Sequence, residues 1–239
     1  MKTSVLAFSS SREGNGDYLQ TAAPLIQEFL GNDMLQIAFI PFASVNTDYE
    51  VYTNMVRKAL SGLPYTIQTV TASNATTVIE RADVIMVGGG NTFKLLHDLY
   101  LLQLTDLIKE KVHAGIPYIG WSAGSNIAGA TICTSNDMPI INPGSFTALG
   151  FLPFQINPHY YNQPIAGFNG ETRDQRLAEF LQLNTAATVI ALPEGSALLL
   201  QENHLRLIGN TAMQMRWQQG AVVVTALSAG VDHSYLLII

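Results

Sequence analysis

Cysteine is nearly absent from this chain of 239 residues: Cys133 stands alone. That excludes an internal disulfide framework and any zinc cluster built on cysteines. Charge is scarce as well. Asp, Glu, Lys and Arg together make 13% of residues, against about 25% in an average soluble domain. With hydrophobic residues at 48%, intrinsic disorder is excluded, because that state needs few apolar groups and much charge. Positive charge is the scarcer sign: 12 Lys and Arg stand against 18 Asp and Glu, for a formal net charge of −6. A general nucleic-acid binder is therefore not expected, since neutralising phosphates takes clustered cations. An anionic substrate would need a local cation. No apolar run approaches the ~18 residues of a membrane span. The run Val5–Phe8 is also shorter than the ~7–15 residues of an export signal. The expectation is a soluble cytoplasmic protein with no membrane or nucleic-acid partner. Cys133, in an apolar stretch, is expected to be a small buried hydrophobe rather than a catalytic thiol.

What is present is an alternation of strand and helix patterns. Val5–Phe8 reads as a strand and is followed by a Ser/Gly-rich segment, 9–16. Helical spacing over 18–30 comes next, then a strand over 37–41, a helix over 49–60 and a strand over 66–70. Ala75–Arg81 reads as a helix, Val84–Val87 as a strand, 93–111 as one helix, 118–120 as a strand and 122–129 as the start of another helix. This order predicts an α/β fold: a mostly parallel sheet with helices on both faces, and sites at the carboxyl ends of strands. Short strand candidates at 197–201, 204–209, 213–217 and 221–227 predict an antiparallel meander appended to that sheet. No linker, repeat or low-complexity tract interrupts the chain, so a single domain over residues 1–239 is expected.

Gly120-Trp121-Ser122-Ala123-Gly124 fits G-x-S-x-G. In that pattern a serine sits on a tight strand-to-helix turn, and its small neighbours relieve crowding. Ser122 is the nucleophile candidate, and the Ala123 N–H can face a developing oxyanion. Gly88-Gly89-Gly90-Asn91-Thr92 follows another core strand. Bare backbone at Gly89 and Gly90 can approach a ligand and offer N–H donors, and Asn91 is a candidate substrate contact. The segment lacks the endings of a Walker loop and of a dinucleotide fingerprint.

A serine needs a base. Among the five histidines, His159 stands out in the irregular segment Asn157-Pro158-His159-Tyr160-Tyr161, because loop residues on a rigid scaffold often carry function. The base in turn needs an acid to fix its tautomer. Glu194, after the apolar run 188–192 and between Pro193 and Gly195, is preferred. Asp137, in a polar loop soon after the nucleophile, competes with it.

The segments GGGNTFKLL (88–96), GWSAGS (120–125), INPHY (156–160), GETRDQR (170–176) and PEGSALLL (193–200), with IPFAS at 40–44, together resemble the family of cytoplasmic serine peptidases that contains peptidase E and cyanophycinase. The resemblance runs over nearly the whole chain. It implies a class I glutamine amidotransferase-like (flavodoxin-like) fold, with serine where those enzymes carry cysteine. It implies Ser122 as nucleophile, His159 as base, and either Glu194 or Asp137 as the third member. The implied reaction is cleavage of small acidic peptides, Asp-X dipeptides above all, with no metal and no cofactor. Ser125 departs from the alanine expected there, and the segment 45–52 departs from the family form. The family also places its aspartate-binding arginine at Arg173. On the sequence, Asn169 can cap a helix from about 171 to 183, which puts Arg173 in a first turn where the macrodipole disfavours a cation. Such a misfit can mark a site, and Arg176 is the fallback. A β-aspartyl polymer hydrolase and a non-catalytic small-molecule binder on the same fold are the competing readings, and the oligomeric state, monomer or dimer, is open.

Overall fold

Val5–Phe8 (β1) is buried along its whole length, and its side chains alternate between two cores: Val5 and Ala7 enter one, Leu6 and Phe8 the other. The same split recurs at Ile37 and Phe39 against Ala38 and Ile40, and at Val84 and Met86 against Ile85 and Val87. Strands buried on both faces belong to a parallel sheet covered by helices. A computed structural model describes residues 3–163, 167 and 169–238.

In chain order the elements after β1 are α1 (Ala22–Leu30), β2 (Leu35–Ile40), α2 (Tyr49–Ala59), β3 (Tyr65–Thr69), α3 (Ala75–Arg81) and β4 (Val84–Val87). Then come α4 (Thr92–Leu101), α5 (Leu104–His113), β5 (Tyr118–Trp121), α6 (Ala123–Asn126), β6 (Gln155–Asn157) and α7 (Arg173–Leu183). The last strands are β7 (Thr188–Ala191), β8 (Ser196–Gln201), β9 (His204–Gly209), β10 (Ala212–Gln218) and β11 (Ala221–Leu227), before a 3-10 turn at Ser234–Ile238. A seven-stranded sheet runs β3-β2-β4-β5-β1-β8-β9, parallel through β1 and antiparallel beyond it. Helices α1 and α2 pack on one face through Ile26 and Val56; α3, α4 and α5 pack on the other through Ile79, Leu95 and Ile108.

The expected C-terminal meander is corrected. Its strands form two hairpins on different sheets. The β8–β9 hairpin extends the large sheet beside β1, whereas β10–β11 joins a four-stranded sheet of order β11-β10-β7-β6. Gly209 marks the departure: it has φ +84°, and a Cβ there would lie 1.9 Å from the Gly195 carbonyl oxygen.

Three local expectations also change. The helix expected over 93–111 is two helices, broken where Gln103 adopts φ +55°. The helix over 122–129 is the four-residue α6. Cys133 is exposed rather than buried. Among the described residues, no helix is long and apolar enough to cross a membrane.

Candidate active site

The carboxyl ends of both sheets meet at one place. Ser122 follows β5 with φ +53° and ψ −113°, a conformation costly for any residue but glycine. The turn is closed by small neighbours. A Cβ on Gly120 would lie 2.5 Å from the Gly124 carbonyl oxygen, and one on Gly124 would lie 2.3 Å from that of Val87. Ser125 is fully buried and donates to the Phe8 carbonyl at 2.6 Å and is also 2.8 Å from the Gly120 carbonyl. The serine that departs from the family form thus latches the elbow to β1.

His159 follows β6, also with positive φ, +52°. Its Nε2 lies 2.8 Å from Ser122 Oγ and its Nδ1 lies 2.7 Å from Glu194 Oε1. Glu194 follows β7 and precedes Gly195, whose φ of +75° favours glycine. The His159 loop is held by Tyr160, which packs against the core beside α7 and donates to Asp174, and by polar groups. The His159 N–H donates to Ser9 Oγ at 2.9 Å, and Ser9 Oγ donates to the Leu192 carbonyl at 2.7 Å. Asn157 donates to Thr134 O and Asn136 Oδ1, and Asn136 donates to Pro158 O.

Asp137, the competing acid, faces elsewhere. Its Oδ2 accepts from the Thr92 N–H at 2.7 Å and the Thr92 hydroxyl at 2.6 Å, at the start of α4. A carboxylate there is stabilised by the helix dipole. Asn91 caps the same helix: its Oδ1 accepts from the Lys94 N–H and its Nδ2 donates to the Met138 carbonyl. It lines the cavity beside Ser122 with both ends of its amide engaged.

The glycine loop lies directly on Ser122. A Cβ on Gly89 would sit 3.0 Å from Ser122 Cβ, and one on Gly90 would sit 2.3 Å from the Ala43 carbonyl oxygen. Among the described residues, the N–H groups of Gly89, Gly90 and Ala123 have no hydrogen-bond acceptor. Tyr52 donates to the Gly89 carbonyl at 3.0 Å and accepts from the Trp121 indole N–H at 3.2 Å, so two aromatic side chains pin the loop. Burial raises the pKa of the Tyr52 hydroxyl and keeps it a donor.

Arg173 opens α7. The cap is Thr172, not the expected Asn169: its hydroxyl accepts from the Gln175 N–H, and Gln175 answers from its side chain to the Thr172 N–H, a reciprocal capping box. The Arg173 Nη1 is buried with no hydrogen-bond partner among the described residues. Burial lowers the pKa of this guanidinium, Arg176 lowers it further, and nearby Asp137 opposes both; arginine nonetheless stays charged at neutral pH. Arg176 lies exposed, 3.7 Å from Glu171. The other histidines are placed elsewhere, His97 against Asp98 and His204 against Asp232. Among the described residues, no three His, Cys, Asp or Glu side chains converge as a metal site.

Sequence reasoning missed Ser9 and Tyr52. Ser9 lay in view as the residue after a core strand; Tyr52 carried no local signal. Comparison with known proteins identifies the family. Residues 5–208 match peptidase family S51. The chain is 46% identical over 238 residues to peptidase E of Shewanella amazonensis, covering 99% of this chain and all of that one. It is 47% identical to peptidase E of Nostoc sp., covering 90% and 89%. The crystal structure of a Listeria monocytogenes protein provisionally assigned as peptidase E superposes with a TM-score of 0.68 at 25% identity, covering 88% of this chain and 100% of that one. The chain belongs to peptidase family S51.

Proposed function

We propose that the protein is a serine exopeptidase that releases aspartate from the N-terminus of Asp-X dipeptides, with Ser122, His159 and Glu194 as its catalytic residues. The observation that carries this reading is the continuous hydrogen-bonded chain from Glu194 through His159 to Ser122. Ser122 Oγ attacks the peptide carbonyl while His159 Nε2 takes its proton. Glu194 holds the other ring nitrogen, fixes the tautomer and stabilises the imidazolium. The N–H groups of Ala123 and of Gly89 or Gly90 receive the developing oxyanion. The intermediate collapses, and His159 gives its proton to the departing amine. Water, deprotonated by His159, then resolves the aspartyl-enzyme and frees Ser122.

Arg173 binds the aspartate side chain through charge-assisted hydrogen bonds. The support is its buried Nη1, without an acceptor among the described residues, and its proximity to Asp137, which holds Thr92 beside the glycine loop. We read Asp137 as positioning that loop rather than serving His159. We further assign the chain to one domain, since one core cluster takes residues from Val5 to Leu236, and to the glutamine amidotransferase-like class, since its serine elbow ends a central parallel strand. A single cysteine suits a cytoplasmic enzyme.

The test is a dipeptide panel of Asp-Leu, β-linked Asp-Leu, Glu-Leu, Asn-Leu and Ala-Leu, with Ser122→Ala as control. The expected result is selective cleavage of Asp-Leu, lost in the variant. Equal cleavage of Asn-Leu, or turnover by Ser122→Ala, overturns the reading.

A further inference from the structure

A cavity of about 480 Å³ opens beside Ser122 and His159, between the loop after β2 and helix α2. That volume lies in the ~300–1,000 Å³ range of small-molecule sites. Its outer wall is Val45, Val51 and Met55, whose side chains remain 63%, 54% and 43% exposed. Val51 and Met55 are four residues apart and so share one face of α2. The core side of that helix is carried by Thr53 and Val56. Single exposed apolar side chains need no explanation. Three that converge on one cavity at a nucleophile do.

The charge of the lining narrows the occupant. Among the described residues, Asp48 is the only carboxylate on it, and it has no Lys or Arg. Arg12 lies over the ring of Tyr18, 5.9 Å from its centroid, and is not on the lining. Arg173 and Asp137 are not part of it either. An aspartate side chain would find no cation there and would meet Asp48. The cavity therefore suits the apolar side chain of the other residue, whose own carboxylate finds no cation on this lining and must lie outside it. We infer that it receives the side chain of the departing residue X and selects large apolar side chains over small or acidic ones. This rests on the reading of Ser122 as nucleophile and Arg173 as the aspartate contact.

The experiment compares kcat/KM for Asp-Leu, Asp-Phe, Asp-Gly and Asp-Glu in the wild type, in Val51→Asn/Met55→Gln, in Asp48→Asn, and in the control Met34→Gln, an exposed methionine away from the cavity. Wild type should favour Asp-Leu and Asp-Phe over Asp-Gly by about tenfold or more, the order that a few methylenes contribute in an apolar site. Asp-Glu should be the poorest. The double variant should bring Asp-Leu to within about twofold of Asp-Gly, by loss of that apolar contact. Asp48→Asn, which keeps a good helix cap, should raise Asp-Glu relative to Asp-Leu, and Met34→Gln should leave every ratio in place. No apolar preference in wild type, or a preference kept by the double variant, overturns the inference. If no Asp-X peptide is cleaved, the substrate reading fails but the cavity is still read by labelling of Ser122 with butyl and carboxybutyl fluorophosphonates. Faster butyl labelling, lost in the double variant, sustains the inference; equal labelling in wild type overturns it.

Discussion

The two sheets contribute different things to the site. The seven-stranded sheet supplies Ser122 and the glycine loop from β5 and β4, strands paired in parallel at the centre of the fold. The four-stranded sheet supplies His159 and Glu194 from the ends of β6 and β7, also parallel neighbours. On the first, geometry is set by backbone crowding, with glycines where any Cβ would collide. On the second it is set by buried polar side chains. Ser9 joins them: it leaves β1 of the large sheet, and its hydroxyl takes the His159 N–H and gives its own proton to Leu192. The elbow is shaped chiefly by sterics, with the Ser125 hydroxyl as a latch. A base and acid that must hold a hydrogen bond need orienting partners.

Four kinds of substitution test that division, the largest effect first. Ser122→Ala should lower kcat by roughly 10⁴–10⁶-fold, with stability changed by less than about 1 kcal/mol. Ser122→Gly should be equally inactive but melt a few degrees higher, since it relieves about 1 kcal/mol of positive-φ strain. An unchanged or lower melting temperature would show that the elbow is not strained. Glu194→Gln should cost about 10⁴-fold in kcat through the wrong imidazole tautomer, whereas Asp137→Asn should act on stability, by about 0.5–1 kcal/mol at the α4 terminus. Denaturant titration and steady-state kinetics on both variants check the pair; a larger kcat loss in Asp137→Asn reverses the assignment of roles.

Arg173→Met should lose about 30- to several-thousand-fold in kcat/KM for Asp-X, with Ser122 still labelled by a small phosphonate. Lysine should rescue it only in part, lacking the planar fork. Full activity in Arg173→Met would move the aspartate contact to Arg176. Ser9→Ala has the smallest expected effect on rate and bears most directly on the joint. It strands the His159 N–H, at about 1–3 kcal/mol of stability, while the Leu192 carbonyl keeps the Tyr160 N–H. A base displaced by a fraction of an ångström should lower kcat by about ten- to a hundredfold, with KM held. Wild-type kcat in Ser9→Ala would mean that the two sheets hold register without the joint.

The features legible in the sequence were those with local causes. The elbow at 120–124 and the glycine loop at 88–90 are steric demands written in consecutive residues, and the strand–helix alternation follows from periodicity. The capping box at Thr172 and Gln175 was also local, and it was passed over for Asn169. Partner choice was not legible. Strand β8 pairs with β1 across nearly the whole chain, in the register Val5 to Leu200, and nothing near β9 or β10 announces that the second hairpin joins a different sheet. The sequence favours Glu194 for its place after an apolar run, yet leaves Asp137 in competition: both are loop carboxylates, and only the fold decides which one faces the imidazole. Tyr52 reaches Gly89 from a helix 37 residues away in sequence.

The order in which these pieces leave the ribosome has a consequence. Ser122 is already made, on a strand flanked by β4 and β1, when neither β6 nor β7 exists. The edge of β1 stays open until β8 emerges, and an unpaired edge is an aggregation template. The hydroxyl at the elbow is in that interval an ordinary alcohol without a base. Hydrolytic competence should therefore appear only once the β6–β7 pair has docked and the chain has reached Glu194, so that a nascent or truncated protein cannot cut peptides in its surroundings. A stalled chain ending before β7 should be inert to phosphonate labels that mark the finished enzyme.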